Sequence, residues 1–382
     1  MTASRARRLS TVVAASVLTT VLLAPGAAAA PARPSPTAPV AASAAADPAL
    51  LVDLRGDLEE YLQGRGAAEH VSAAALSVSL LGQEATIDVT AGTTEFGGSV
   101  PVQPGALWQI GSSTKAFTSV LLLQLEAEGH LSIDDPLGRW LPQYPQWGEV
   151  TVRRLLDMTS GTPTYGGRPA FRTDYAADPL RQFTAEELVD YLVGAAATSG
   201  FSYSNTDYVL AEMIVEQVTG TGYAAQLSAR LLGPLGLQDS HYRSHRHPAG
   251  IADRRPAGYY SRTIVPEFVP LEGRDVSQAS LSWARGAGGI LSTTADITSW
   301  ARLLYAGWLL PPQQQADCSA WCRRPRGSPS RPRRPRTRRG SAWGSPRCPT
   351  PWAPCGPTRA RPAVSGSCTP TSRSPGSSSP WA

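Results

Sequence analysis

At residue 318 the chain changes its alphabet. Residues 318–382 use nine residue types (Ala, Cys, Gly, Pro, Arg, Ser, Thr, Val and Trp) and contain no Leu, Ile, Phe or Tyr. A segment of that composition cannot bury a core and is expected to be disordered. Whatever folds must do so within the first 317 residues, and whole-chain composition misleads about them. The net charge of +5 is carried by the tail, which has 13 arginines and no acidic residue. Without it, 22 basic residues face 30 acidic ones, a balance of −8. An acidic body gives no reason to expect a nucleic-acid partner. The five cysteines, Cys318, Cys322, Cys348, Cys355 and Cys368, also lie in the tail. Their odd number and irregular spacing outline neither a disulfide framework nor a zinc site. The body is expected to fold without disulfides.

The N-terminus reads as an export signal. Arg5, Arg7 and Arg8 precede an apolar stretch over residues 11–23 that is too short to span a bilayer, and residues 26–30 supply the small side chains of a cleavage site. Residues 1–30 are therefore expected to be a secretory signal peptide. No cysteine follows the apolar run, which argues against a lipid anchor, and no stable membrane anchor is expected. Residues 31–47, rich in Ala, Pro and Ser, read as a flexible linker. The folded domain is expected over residues 48–317.

Within that domain the periodicity predicts helices over residues 48–62, 112–128, 207–219 and 294–305, closed where relevant by Gly129, Gly220 and Gly307. Residues 74–80 and 85–90 alternate like two strands around a turn at Gly82. Thr184 and Glu187 form a capping box ahead of Leu188 and Leu192. A lone hairpin is marginal in water, so further strands are expected after residue 310, where none is visible.

The chemistry begins at Ser112-Ser113-Thr114-Lys115. Serine and lysine three apart on a helix share a face, so their side chains can meet. A serine hydroxyl becomes a useful nucleophile when a base takes its proton. Lysine is such a base only when burial or a helix dipole depresses its pKa, and arginine never is. Lys115 is the only lysine in the chain, against 34 arginines. A lineage that uses arginine nearly everywhere keeps lysine at the one position where arginine would fail. About ninety residues later stand Tyr203, Ser204 and Asn205. A tyrosine beside Lys115 can relay protons, and an asparagine amide can grip a substrate carbonyl.

Four segments, WQIGSSTKAF (residues 108–117), LLDMTSG (155–161), FSYSNTDY (201–208) and GAGGILSTTAD (286–296), occur in the order seen in the superfamily of class C β-lactamases and D-alanyl-D-alanine carboxypeptidases. The chain resembles that superfamily, and in particular the secreted carboxypeptidases of filamentous actinobacteria, over about residues 48–317. The resemblance implies an α+β fold of the β-lactamase/transpeptidase type: an antiparallel sheet flanked by helices, with an inserted helical subdomain. It implies that Ser112 forms an acyl-enzyme, that Lys115 and Tyr203 move protons, and that Asn205 binds the substrate amide. The Ser112 backbone N–H would supply one oxyanion-hole donor. No cofactor and no metal are implied. The histidines, mostly within residues 241–247, read as a solvated polar cluster.

One element of that pattern is missing. The superfamily carries Lys-Thr-Gly, His-Thr-Gly or a relative on a late strand opposite the serine, and this sequence has none. The genetic code offers a reason. Every tail residue except Val364 is encodable with G or C at the second codon position, a bias proper to a third position in a GC-rich gene. Loss of one base near Asp317 would produce it. In the restored frame residues 341–344 permit FGLG, residues 358–360 permit HTG or HEG, and residues 363–365 permit GGF. The tail is therefore expected to be out of frame, the late sheet strands missing and the domain incomplete.

The expected activity is that of a secreted, monomeric serine hydrolase acting on D-alanyl-D-alanine peptides or β-lactams, with small-molecule or peptidoglycan-peptide substrates. A β-lactamase, an esterase and a D-amino-acid amidase share the same serine, lysine and tyrosine. Readings from other classes are a non-catalytic penicillin or peptidoglycan sensor and a basic protein acting through its tail.

Overall fold

The computed structural model describes residues 47–323, apart from residues 81, 82, 84, 243–246 and 261–269. The signal peptide, the linker, the Gly82 turn and the restored-frame motifs lie outside the described residues.

The chain enters through α1 (Pro48–Tyr61) and a short α2 (Ala67–Glu69), then forms the hairpin β1 (Ala73–Ser79) and β2 (Thr86–Gly92). The hairpin is antiparallel, with Ala73 opposite Gly92 and Ser79 opposite Thr86. Strand β3 (Trp108–Gln109) leads through a tight turn, Gly111–Ser113, into α3 (Thr114–Ala127). A helical insert follows: α4 (Leu137–Trp140), α5 (Val152–Leu156), α6 (Pro169–Ala177), α7 (Ala185–Asp190), α8 (Asn205–Thr219) and α9 (Tyr223–Leu227). The chain returns through β4 (His241–Tyr242), α10 (Ala249–Ala252), α11 (Arg285–Gly288), β5 (Ile290–Ser292), α12 (Thr294–Tyr305) and α13 (Pro312–Arg323).

Local chemistry explains the helix bounds. Thr184 Oγ1 accepts the Glu187 N–H at 3.1 Å while Glu187 Oε2 accepts the Thr184 N–H at 2.8 Å, so the expected capping box is present. Helix α8 stops at Gly220 in a left-handed conformation (φ 66°). Helices α1 and α12 pack on the hairpin, and α8 is the hub, touching α3, α5, α7, α9 and α11. The two halves are sewn together by apolar burial: Phe117 of α3 stacks on Trp300 of α12 with ring centroids 3.8 Å apart. In the insert, Phe171 packs among Tyr165, Tyr175, Phe183 and Tyr191. Among the described residues no helix is long and apolar enough to cross a membrane.

Strands β3, β5 and β4 form a second antiparallel sheet in the order β3-β5-β4, apart from the hairpin, and the strands expected after residue 310 would fall past Arg323, outside the described residues. Strands of two or three residues are too short to leave an alternating pattern, which is why the sequence did not reveal them. Helix α13 runs past residue 317 to Arg323. Its first turns are held by packing rather than composition. Gln314 is buried and donates to Glu126 Oε2 at 3.2 Å, Asp317 pairs with Arg153 at 2.7 Å, and Cys318 packs against the core.

Among the described residues β1 pairs with β2 alone, and no strand follows Ser292. The burial of the hairpin is correspondingly uneven. Ile87, Val89, Thr90 and Ala91 of β2 are buried, whereas β1 is half-buried from Ala74 to Ser79.

Candidate active site

The turn Gly111–Ser113 presents Ser112 at the mouth of α3. Two hydrogen bonds fix it: the Ile110 N–H donates to Ile290 O of β5 at 3.1 Å, and the Ile290 N–H donates to the Thr114 side-chain Oγ1 at 3.3 Å. The short sheet thus clamps the residues on both sides of the serine.

Lys115 lies one turn further along α3, almost wholly buried. Its Nζ stands 3.1 Å from Ser112 Oγ, 2.8 Å from Asn205 Oδ1 and 2.7 Å from the Ala287 carbonyl oxygen. It also lies over the rings of Tyr203 and Tyr208, 5.0 and 5.4 Å from their centroids. Burial lowers its pKa from 10.5 to about 7, against the opposing pull of Asp207. Of the three close partners, Asn205 Oδ1 and the Ala287 carbonyl only accept. A neutral amine has two N–H groups, which satisfy those two, and one lone pair, which is left for the Ser112 hydroxyl proton.

Tyr203 Oη is 2.5 Å from Ser112 Oγ. Burial raises the phenol pKa above its usual 10, and the bond to Ser112 opposes that rise. At neutral pH the phenol therefore carries its proton.

The segment bearing Tyr203 is docked on the LLDMTSG turn. The Thr198 N–H donates to Gly161 O at 2.9 Å and the Ser202 N–H to Met158 O at 3.0 Å. Gly161 is in the left-handed region (φ 75°), and a Cβ there would lie 1.8 Å from Thr198 O, so only glycine fits. Asn205 opens α8, where its N–H meets Thr164 Oγ1 at 3.3 Å.

The structure thus gathers all four side chains singled out from the sequence. Sequence reasoning missed their supports. Asp207 is fully buried one turn into α8 and accepts from Ser160 Oγ at 2.7 and 2.9 Å. Burial raises its carboxyl well above the usual range, while the Ser160 bond and Lys115 pull it back. Glu212 and Arg285 form a buried ion pair at 2.6 Å. The available signal was an acidic residue on each side of the apolar run Tyr208 to Ala211 in α8. Among the described residues no group of His, Cys, Asp or Glu side chains is arranged to hold a metal ion.

A Ser-x-x-Lys pair at the start of a helix, its serine half-buried and its lysine buried, is faced by a tyrosine from a helical insert on a serine-hydrolase-type, β-lactamase/transpeptidase-like fold. The model of the beta-lactamase family matches residues 58–350, and the chain belongs to that family. It is 30% identical over 216 residues to a penicillin-binding protein of Bacillus subtilis (strain 168), covering 54% of this chain and 46% of that protein. It is 32% identical over 159 residues to Esterase EstB of Burkholderia gladioli, covering 38% of this chain and 40% of that one. Among solved structures, the D-amino acid amidase from Ochrobactrum anthropi SV3 superposes with a TM-score of 0.59 at 29% identity, over 70% of this chain and 73% of that chain. The chain spans about half the length of the curated relatives it matches.

Proposed function

We propose that the chain is a secreted serine hydrolase that attacks the carbonyl carbon of D-alanyl-D-alanine peptides or β-lactams and passes through an acyl-enzyme on Ser112. The observation that carries the proposal is the Ser112–Lys115–Tyr203 contact set, with a lysine depressed to about 7. Neutral Lys115 takes the hydroxyl proton as Ser112 Oγ bonds to the carbonyl carbon. The negative charge formed on the carbonyl oxygen is met by the Ser112 backbone N–H. As the amide C–N bond breaks, Tyr203 gives its phenolic proton to the leaving nitrogen and recovers one from Lys115. Water then hydrolyses the ester. Asn205 both accepts from Lys115 and faces the substrate amide.

A second reading, a D-amino-acid amidase, is supported by the amidase structure matched over 70% of this chain. An esterase is supported by the relative from Burkholderia gladioli. All three share the same acyl-enzyme chemistry. The proposal includes a monomeric enzyme and a reading frame lost near Asp317.

Mass spectrometry after incubation with a fluorescent penicillin tests the assignment, with Ser112→Ala alongside. A covalent adduct on Ser112, absent from the variant, is the expected result. Soluble, frame-repaired protein that never acylates would overturn it.

The pH dependence follows from the lysine. The base must be unprotonated, so the acylation rate rises about tenfold per unit below pH 7 and levels off above it. No descending limb is expected from Tyr203 until above pH 10, because its pKa is raised. Stopped-flow acylation from pH 5 to 10 checks this; a rate flat across pH 5–8 would exclude Lys115 as the base.

A further inference from the structure

One of the two acceptors around Lys115 is a backbone carbonyl, and backbone carbonyls must be held in place by something else. Ala287 belongs to α11, a single turn that begins at Arg285 with φ 41°, an unfavourable conformation for a residue with a Cβ. Three ties keep that turn where it is. The Gly286 N–H donates to Glu212 Oε2 at 2.6 Å, Arg285 Nη2 donates to Glu212 Oε1 at 2.6 Å, and Thr118 Oγ1 donates to the Gly286 carbonyl at 2.8 Å. Glu212 is fully buried on α8, and Tyr242 Oη adds a further bond to its Oε1 at 2.8 Å. Gly286 packs so closely that a Cβ there would stand 2.9 Å from Tyr208 O. Both oxygens of Glu212 are therefore committed to the turn next to the lysine.

We infer that Glu212 is a positioning residue for the active-site base. By accepting the Gly286 N–H it keeps the Ala287 carbonyl on Lys115, which engages one amine N–H and leaves the lone pair directed at Ser112. The inference rests on Lys115 acting as the base proposed above. Released, the turn relaxes away from its strained conformation and water reaches the amine. Misplacement of a reacting group by about 1 Å costs on the order of 100-fold in rate.

The single lysine of the chain makes this measurable directly. In full-length protein labelled with 13Cε-lysine, one side-chain signal reports the titration of Lys115. The groups that face it are Tyr203 ahead of α8 and Asp207 and Tyr208 on α8. Two double variants carry the same charge and differ at residue 212 in whether a side-chain oxygen is left for the Gly286 N–H, the alanine also removing the Tyr242 partner and the buried side chain's volume. Glu212→Gln/Arg285→Met keeps an oxygen for the Gly286 N–H, and Glu212→Ala/Arg285→Met removes it. The first is expected to acylate within about threefold of wild type and to keep the wild-type lysine midpoint. The second is expected to acylate about 100-fold more slowly, with the midpoint raised by about one pH unit or more toward the ordinary ~10.4. Equal rates and equal midpoints in the two would overturn the inference.

If the alanine variant does not fold, Glu212→Asp keeps the charge but withdraws the carboxylate by one bond length, about 1.5 Å. A folded Glu212→Asp protein with wild-type rate and midpoint would likewise overturn it. Should wild-type protein never acylate, the lysine titration decides alone: different midpoints in the two double variants support the positioning role even as the catalytic assignment fails.

Discussion

Lys115→Arg is expected to cut acylation of Ser112 by on the order of 10⁴-fold while leaving the chain folded. The substitution keeps the positive charge, so it separates two roles a buried cation can play. If Lys115 served only to stabilise negative charge, arginine would do nearly as well. As a base it must shed a proton, and a guanidinium does not do so in a protein. Geometry works in the same direction. Three oxygens close on Nζ at 2.7 to 3.1 Å, a cage built for one nitrogen, and a planar fork would displace at least one of them. The measurement is the acylation rate with a fluorescent penicillin, with circular dichroism as the check on folding. Retention of more than a tenth of the wild-type rate would show that the amine is not the base.

On the proposed loss of a base near codon 317, reinserting one is expected to raise acylation by about 100- to 1,000-fold, the usual worth of an oxyanion-hole donor, and to improve solubility. The structural reason lies in the hairpin. β1 pairs on one side only among the described residues, and its side chains from Ala74 to Ser79 are half-buried. An open, partly apolar edge invites pairing with other chains. A frame-repaired chain that aggregates equally and acylates no faster would argue against the lost-base account. Resequencing that finds no missing base at codon 317 would end it.

The meeting of Ser112 and Lys115 was legible in the sequence because Ser-x-x-Lys is a local geometry. Any helix starting near residue 112 brings positions 112 and 115 together, whatever surrounds it. The long helices were legible for a similar reason, since capping residues such as Thr184 and stop signals such as Gly220 act within a few residues. The order of Tyr203 and Asn205 behind the serine was readable only through a family likeness, because no local rule links residues ninety apart. The short strands β3, β4 and β5 and the first turns of α13 escaped, each being held by packing against distant elements.

What the sequence alone determined, then, is that Ser112 and Lys115 meet and which stretches around them are helical. Only the tertiary structure decided that Lys115 is buried and its pKa lowered. Its depressed pKa comes from burial under α8 and α11, and its acceptors, Asn205 and Ala287, lie 90 and 172 residues away. Burial and long-range hydrogen bonds depend on how the whole chain packs, and a spacing of three residues cannot encode them.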